Sequence, residues 1–250
     1  MEGLKPARLR SARLFFPVTS PQFLPESNAT DRIVLKKTAV IHPKENRVEP
    51  LVGGALKATT LTFTNIHKHG DLFVDFMRMR HKVFIEGKGW DLPETEGIEF
   101  DQYDTAQARL IAIHSYGEVL AGIRLLPTTS RVGLHSYMLR DAQLGLLDSL
   151  PRDILFFEAP VSPLIWEATR LFIRTDVPAK LRAQVQTMLM TEMAQVAREA
   201  GATHVIGIVP SVFRRWMARI GMSASPVGAP LVIDGDKVCA ALFPVAEFVN

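Results

Sequence analysis

A charged side chain falls at a position where the helical pattern calls for an apolar one. Apolar residues recur at helical spacing from Phe73 to Phe84, and Arg80 lies on the same inward stripe. Asp71 is placed to cap this helix. An unpaired guanidinium buried at Arg80 would be strongly destabilising, so it requires carboxylate partners. The sequence therefore predicts a buried ion pair built on Arg80.

Five further charged residues can form a balanced set with that arginine. Asp101 and Asp104 are three residues apart and supply the nearest carboxylates. Arg124 falls in a predicted hairpin, whereas Glu167 and Arg170 fall in a predicted central strand. Three arginines and three carboxylates suit a cleft that binds a zwitterionic, amino-acid-like ligand. A purely structural ion-pair network is the alternative interpretation of the same residues.

The elements that must position these residues follow from hydrophobic periodicity. Strand-like segments are rich in β-branched and aromatic residues, and Gly117 can provide the positive φ angle of a hairpin turn. The helix predicted over 177–201 follows the 3.6-residue period and ends at Gly201. The predicted strands cover 59–64, 108–115, 119–126, 155–159, 165–173, 203–209, 231–233 and 237–243, and a further helix begins at Ser211.

The order of these elements indicates the fold class. A helix is followed by an antiparallel meander, a central strand, a long helix, another strand, a third helix and a final hairpin. Helices packed on a mixed, mostly antiparallel sheet give an α/β (α+β) layered architecture. Residues 58–250 are numerous enough for one such domain with a sizeable core.

The composition is that of an ordinary globular protein. The 250 residues are 47% apolar and 22% charged, with 29 Lys or Arg against 26 Asp or Glu. These values exclude collagen, a coiled coil and disorder throughout. No apolar run approaches the ~18 residues that a membrane-spanning helix requires. The single cysteine, Cys239, cannot form an internal disulfide, so we expect a reducing compartment, the cytoplasm.

The beginning of the chain differs from the rest. Residues 1–56 contain six prolines and 9 Lys or Arg against 5 Asp or Glu, so the excess positive charge lies there. We therefore expect residues 1–57 to be a basic, flexible N-terminal extension of a catalytic domain formed by residues 58–250. Pro17 interrupts the one apolar stretch that could serve as a secretory signal, so no export is predicted.

Five blocks of sequence follow one another in a fixed order. They are Met79-Arg80-His81-Lys82-Val83-Phe84, Gly89-Trp90-Asp91-Leu92-Pro93, Glu99-Phe100-Asp101-Gln102-Tyr103-Asp104, Gly122-Ile123-Arg124-Leu125-Leu126-Pro127-Thr128 and Trp166-Glu167-Ala168-Thr169-Arg170-Leu171-Phe172. Together they resemble the acyl-homoserine-lactone synthases, the autoinducer synthases of bacterial quorum sensing. The resemblance covers roughly residues 59–245, and any one block alone would be a weak signal.

The resemblance implies a fold and a reaction. The fold is the three-layer fold of the GNAT N-acyltransferases. The reaction transfers an acyl group from a thioester to the amine of S-adenosylmethionine, and lactone formation then releases methylthioadenosine. The usual donor is an acyl carrier protein. Coenzyme A is less favoured, because the glycine-rich pyrophosphate signature of GNAT enzymes is missing near residues 174–181.

The resemblance also implies roles for eight residues, all present with the family's residue type. Glu167, Arg170 and Arg124 are expected to be catalytic, with Glu167 as general base. The expected substrate-binding residues are Arg80, Phe84, Trp90, Asp101 and Asp104. Aromatic faces attract a sulfonium cation, although plain core packing is the alternative for the two aromatic residues. Glu167 and Arg170 are three apart, so only a β-bulge between them would let both address one cleft.

Four residues are candidates for the acyl pocket. Trp166, Phe172 and Met188 could line a tunnel between the central strand and the long helix, although core packing explains them equally well. Gly207 stands where some family members carry a threonine associated with 3-oxo-acyl donors. That difference favours an unsubstituted or otherwise unusual acyl group.

Other function classes have little support. The seven histidines and one cysteine show no metal-ligand spacing, and no permanently bound cofactor is expected, since S-adenosylmethionine is a co-substrate. We expect no nucleic-acid partner. Two alternatives stay open: an N-acyltransferase that acylates a free amino acid without forming a lactone, and a binding module that uses the basic extension and shows salt-sensitive binding.

Overall fold

The computed structural model describes residues 55–210, 217–218, 221–233 and 235–245. They belong to one compact unit, Gly54–Asn250. The predicted extension, residues 1–57, therefore falls almost entirely outside the described residues. So does most of the helix predicted after Ser211, of which only Met217 and Ala218 are described.

The strands of the described residues form one large sheet and one small hairpin. The strands are β1 Lys57–Leu61, β2 Glu94–Thr95, β3 Ile98–Glu99, β4 Arg109–Ser115, β5 Glu118–Pro127, β6 Ile165–Ile173, β7 His204–Pro210, β8 Ser225–Pro226, β9 Leu231–Ile233 and β10 Asp236–Pro244. The large sheet has the order β1-β4-β5-β6-β7-β10-β8, with β9 also paired to β10, and β2 pairs with β3. All pairs are antiparallel except β6 with β7.

Helices cover both faces of this sheet, which makes the three layers. Among the fully described segments, the α-helices are α1 Leu72–Arg80, α2 Met138–Gln143 and α3 Ala179–Glu199. On one face, Gly122 lies directly beneath Phe76 of α1, so closely that a Cβ atom at this glycine would lie 2.3 Å from the Phe76 ring. On the other face, Arg109 donates to the Val196 carbonyl of α3 at 3.3 Å. The predicted mixed, mostly antiparallel α/β fold is confirmed.

The first helix begins and continues in an unexpected way. Asp71 is the N-cap residue, as predicted, but its side chain makes no capping hydrogen bond. After Arg80 the chain does not leave the helix and passes into a π-helical segment, His81–Gly87. Phe84 therefore extends the buried face of α1 from within wider helical turns, which often occur at functional sites.

The β4–β5 hairpin follows the sequence pattern. Its loop has two residues, Tyr116 and Gly117, with φ angles of 50° and 86°. A two-residue turn with positive φ at both positions has a backbone twist that matches the right-handed twist of the two strands it joins. The hairpin places Arg124 on β5 opposite Leu110, in the middle of the sheet.

The central strand β6 carries a bulge. Gly122 and Arg124 of β5 pair with Phe172 and Thr169, so one β5 residue stands opposite two of β6, one of which is Arg170. Arg170 has a φ angle of 54°, in the left-handed region. The bulge that the spacing of Glu167 and Arg170 requires is therefore present.

The parallel pairing of β6 and β7 ends just before this bulge. It joins Ile165–Ala168 to His204–Gly207 and stops at the Ala168–Gly207 pair. A Cβ atom on Gly207 would lie 2.6 Å from the Ala168 carbonyl oxygen, so glycine permits this close approach. The two strands thus pair at one end and separate from Thr169 onward.

One predicted strand is wrong. Residues 155–157 form a bend, 158–159 are irregular, and Phe156 and Phe157 are exposed. The segment makes one backbone bond to the residue after β8, from the Phe156 amide to the Val227 carbonyl at 2.9 Å. Gln143 of α2 holds the rest, since its amide donates to the Phe157 carbonyl and its oxygen accepts from the Ala159 amide, both at 2.7 Å. The apolar composition that predicted a strand here was misleading, because a side chain makes hydrogen bonds that a strand partner would make.

Membrane-spanning helices and metal-binding clusters are both absent from the described residues. None of their helices is long and apolar enough to cross a membrane. Within the same residues, no group of three or more His, Cys, Asp or Glu side chains is arranged to hold a metal ion.

Candidate active site

Two fully buried arginines, one half-buried arginine and three buried carboxylates form one network at α1. Arg80, which has no exposed surface, donates from Nη1 and Nη2 to the two oxygens of Asp104 at 2.6 and 3.0 Å. Its Nε donates to Glu99 at 2.5 Å. Burial and the nearby charge of Arg124 act to lower the pKa of Arg80, but Asp104 and Glu99 together more than offset them, so the pKa is raised and Arg80 stays charged.

Asp101 joins the other two arginines. Arg124 donates to it from Nη1 and Nη2 at 2.5 and 3.2 Å, and Nη2 of Arg170 lies 2.8 Å from it. Burial acts to raise the pKa of Asp101, but Arg124 and Arg170 hold it well below its usual range. We expected Asp101 to position Arg80; instead it pairs with Arg124 and Arg170, and Asp104 pairs with Arg80.

Glu99 is the network member that sequence reasoning missed. It is fully buried and accepts from Arg80 and, at 3.0 to 3.1 Å, from Nε and Nη2 of Arg170. It therefore takes the third carboxylate position that we had given to Glu167. Its two-residue spacing from Asp101 was a usable signal, since alternate residues of an extended segment share a face.

All three guanidinium nitrogens of Arg124 have partners in the network. Its Nε donates to the Thr169 hydroxyl at 3.0 Å, and its Nη1 also lies 3.0 Å from Asp104. The side chain has no exposed surface. The Arg170 side chain retains 9% exposure, so among the three arginines it is the one with surface left to contact a ligand.

Glu167 lies on the same face of β6 as Thr169, but its partners come from α2. Its two oxygens accept from the amides of Met138 and Leu139 at 2.9 and 2.8 Å, the first two residues of that helix. The helix N-terminus favours the ionised carboxylate. Burial dominates, however, and raises the pKa of Glu167 to about 7. Such a group can accept a proton near neutral pH.

The segment before α2 is held by a buried carboxylate that the sequence did not single out. Asp141 has no exposed surface and accepts four hydrogen bonds. The donors are the Ser136 amide and hydroxyl, the Tyr103 hydroxyl and Nδ1 of His135, at 2.8 to 2.9 Å. No periodicity signals this cluster, because its members come from a loop, a helix and the segment between them.

The aromatic pair stacks beside the network. The rings of Phe84 and Trp90 are 5.1 Å apart between centroids and inclined by 18°. The Arg170 guanidinium lies 5.7 Å from the Phe84 ring centre, and Lys88 lies 5.1 Å from that of Trp90. Aromatic rings of this kind attract cations, as these two contacts show.

The structure separates the four residues expected at the acyl pocket. Phe172 packs against Phe76 and Phe84 on the α1 face. Trp166 is on the α3 face, where Arg109 covers its ring at 5.0 Å. Met188 is half-buried on α3 and Gly207 lies at the end of the β6–β7 pairing, so Phe172 is on the other side of the sheet from Trp166.

A cavity of about 670 Å³ lies elsewhere, between α1 and the β4–β5 turn, where Asp75, Lys82 and Arg174 line it. None of the predicted site residues does. The network joins Arg80, Asp101, Asp104, Arg124 and Arg170, as the sequence predicted, whereas Glu167 is bound by the first two amides of α2.

Comparison with known proteins identifies the family. A family model described as autoinducer synthase matches residues 64–249. An acyl-homoserine-lactone synthase of Acinetobacter baumannii is 32% identical over 194 residues, covering 73% of this chain and 97% of that protein. The crystal structure of TofI, in a ternary complex with an inhibitor and MTA, is 28% identical with a TM-score of 0.60 and covers 76% of this chain and 91% of that chain.

A third relative shows the fold alone. BjaI, a CoA-dependent acyl-homoserine lactone synthase solved with SAM and isopentyl-CoA, is 23% identical with a TM-score of 0.61 and covers 76% of this chain and 84% of that chain. The family model matches well over half of the chain, and the match to the Acinetobacter protein covers 97% of that protein. The chain therefore belongs to the autoinducer synthase family, whose members are acyltransferases.

Proposed function

We propose that this protein is an acyl-homoserine-lactone synthase that uses S-adenosylmethionine as acyl acceptor. The observation that carries the proposal is the Glu167 carboxyl group, which is buried and held by two amides with its pKa raised to about 7. It lies on the face of the sheet that carries the arginine and carboxylate network. Family membership supports the same reaction.

In the first step, the α-amino nitrogen of S-adenosylmethionine attacks the thioester carbonyl. The nitrogen must be neutral to attack, so a base has to take its proton, and Glu167 is the group with a suitable pKa, directly or through a water molecule. An amide bond forms, the carbon–sulfur bond of the thioester breaks, and the carrier thiol leaves. The bulge at Arg170 interrupts β5–β6 pairing where backbone amides can meet the developing oxyanion.

In the second step, the methionyl carboxylate attacks its own γ-carbon. The carbon–sulfonium bond breaks, the lactone ring closes and methylthioadenosine leaves as a neutral thioether. Orientation is the main requirement, because the leaving group is already activated by its positive charge. Arg170 is the network arginine with an exposed part, so we assign it to the substrate carboxylate.

The other network residues then have a supporting role. Arg80 and Arg124 have no exposed surface and are occupied by Glu99, Asp101 and Asp104. A direct grip on substrate by Arg124 would require breaking these ion pairs. We therefore assign Arg80 and Arg124, with their carboxylates, to holding Arg170 in place. The Phe84 and Trp90 rings are assigned to the sulfonium and adenosine end of the substrate.

The acyl donor is assigned to the opening between β6 and β7. The pairing of these strands ends at the Ala168–Gly207 pair, next to the bulge, and we assign the acyl chain to the α3 side, which carries Trp166 and Met188. We propose an acyl carrier protein as donor, since the pyrophosphate signature of coenzyme A enzymes is missing near residues 174–181. Coenzyme A is the second candidate, because BjaI uses it. Gly207 favours an acyl chain without a 3-oxo group.

Mass spectrometry of reactions with purified protein tests this function. S-adenosylmethionine is supplied with octanoyl-acyl carrier protein or octanoyl-coenzyme A, and octanoyl-homoserine lactone and methylthioadenosine are quantified. We expect equimolar products and a higher kcat/KM for the carrier protein. Release of acyl-amino acid without methylthioadenosine would instead identify an N-acyltransferase of the same fold. Higher kcat/KM for the coenzyme A thioester would overturn the donor assignment alone.

A further inference from the structure

Helix α2 is too short to fix its own orientation. It has six residues, Met138–Gln143, and its N-cap residue Tyr137 makes no side-chain capping bond. Isolated helices of this length are unstable in water, so tertiary contacts must hold the first turn. The first turn matters because its amides hold Glu167.

Asp141 supplies those contacts from within the helix. One of its oxygens accepts from the amide and hydroxyl of Ser136, the residue before the N-cap. The other accepts from the Tyr103 hydroxyl and from Nδ1 of His135. Burial raises the pKa of Tyr103, and Asp141 raises it further, so the phenol stays protonated and donates. All of these partners lie on the N-terminal side of α2 or beneath it.

Tyr103 also connects this cluster to the ion network. Its amide donates to Asp101 at 2.9 Å, and the Arg124 guanidinium lies 5.5 Å from its ring centre. Tyr103 thus bonds the Asp141 cluster through its hydroxyl and the ion network through its backbone amide. The support of Glu167 is thereby tied to the residues that hold Arg170.

We propose that Asp141 is a positioning residue for Glu167: by joining Tyr103, His135 and Ser136 it fixes the first turn of α2 and so the two amides that hold the Glu167 carboxylate. This inference rests on the proposed function for its kinetic consequence only. Its structural consequence can be measured without substrate.

Three variants of the full-length chain separate positioning from general destabilisation. Asp141→Ala removes all four acceptor bonds. Asp141→Asn keeps an acceptor for Ser136 and offers an amide to Tyr103 and His135. Ile113→Ala is the matched control, because it removes a fully buried side chain from β4 away from α2. Thermal unfolding of all three gives the loss of stability against which the other results are compared.

Hydrogen exchange of the Met138 and Leu139 amides, followed by NMR without substrate, is the first measurement. We expect exchange to become about tenfold faster in Asp141→Ala and to stay near wild type in Asp141→Asn and Ile113→Ala. The second measurement is the kinetics of lactone formation. We expect kcat to fall by about 100-fold in Asp141→Ala, with KM for S-adenosylmethionine little changed, and we expect kcat of Asp141→Asn to stay near wild type.

The outcomes distinguish the two proposals. Unchanged exchange in Asp141→Ala, or equal losses of kcat in Asp141→Ala and Ile113→Ala, would overturn the positioning role. A wild-type protein that makes no lactone would overturn the proposed function, while the exchange measurement still decides the role of Asp141. If Asp141→Ala does not fold, Tyr103→Phe is measured in the same way, and unchanged exchange there overturns the inference.

Discussion

Glu167 is a carboxyl group on which burial and hydrogen bonding act in opposite directions. Removal from water raises its pKa, whereas the amides of Leu139 and Met138 and the charge of Arg124 lower it. The balance leaves the pKa at about 7, close to the pH at which a general base works best. A fully solvated glutamate would be too weak a base to deprotonate an amine.

The pH dependence of kcat/KM follows from this balance. The base form of Glu167 is required, so activity should fall as pH drops through about 7, approaching about tenfold per pH unit on the acid side. Glu167→Gln should lose about 100-fold or more in lactone formation at every pH. Initial rates by mass spectrometry between pH 5.5 and 8.5 provide the measurement. Glu158→Gln, at an exposed site, is the control, and full lactone yield from Glu167→Gln would remove the proposed base.

Arg80 should be essential for stability. Arg80→Met would leave buried Glu99 with Arg170 alone and buried Asp104 with Arg124 alone, and breaking such a buried pair costs about 3–5 kcal/mol. Arg78→Met on the same helix is the matched control. Its partner is Asp75 in an exposed pair, so the expected loss is below about 1 kcal/mol. Urea unfolding followed by circular dichroism measures both values, and similar losses for the two variants would contradict a structural role for the network.

At the level of single residues, the sequence predicted the kind of contact better than the partner. A guanidinium on a buried stripe has to be paired, so the pairing of Arg80 with carboxylates was predictable. Which carboxylate meets it depends on how the 99–104 segment folds. That segment turns so that Asp104 and Glu99 face Arg80, and Asp101 faces Arg124 and Arg170. No local pattern encodes that turn.

At the level of elements, the bulge in β6 brings Arg170 to the same side as Glu167. A regular strand would send residues three apart to opposite faces. The φ angle of 54° at Arg170 is unfavourable for a residue with a Cβ atom, and its ion pairs with Glu99 and Asp101 keep it there. The spacing in the sequence suggested the need for a bulge, but only the strand register shows where it lies.

Gly122 sets the distance between β5 and α1. Gly122→Ala would place a Cβ atom 2.3 Å from the Phe76 ring and 2.7 Å from the Phe172 ring, so α1 must shift. We expect a loss of about 1–3 kcal/mol in the free energy of unfolding. The double variant Gly122→Ala/Phe76→Leu should be more stable than the sum of its single variants predicts, since it relieves one of the two clashes. If the losses in free energy of unfolding simply add, contact with the Phe76 ring is not the cause of the loss in Gly122→Ala.

At the level of the whole molecule, every residue of the proposed site lies between Arg80 and Gly207 in the sequence, and β1 begins at Lys57. Removal of residues 1–54 is therefore expected to leave kcat and KM for S-adenosylmethionine within about twofold of the full chain. Kinetics of the truncated protein test this, with its thermal unfolding as control. Loss of a salt-sensitive binding activity on truncation would favour the alternative role for the basic extension.

The order of elements was predictable because most helices and strands show a clear hydrophobic periodicity or are bounded by turn residues. The pairing of β6 with β7 in parallel, and the end of that pairing at Gly207, were not, since they depend on contacts between distant strands. The π-helical continuation of α1 likewise has no signature in the sequence. The fold class could thus be predicted, whereas the opening proposed for the donor required the structure.

The saturation of the buried arginines has a consequence for inhibitor design. Arg80 and Arg124 already hold carboxylates and have no surface to offer, so additional acidic groups on a small molecule would find little to bind beyond Arg170. The Trp90 ring stacks on Phe84 and has Lys88 over it, but it is only half-buried and so keeps some apolar surface. A weakly polar scaffold that packs against this exposed part is therefore a better starting point for medicinal chemistry than a polyanion.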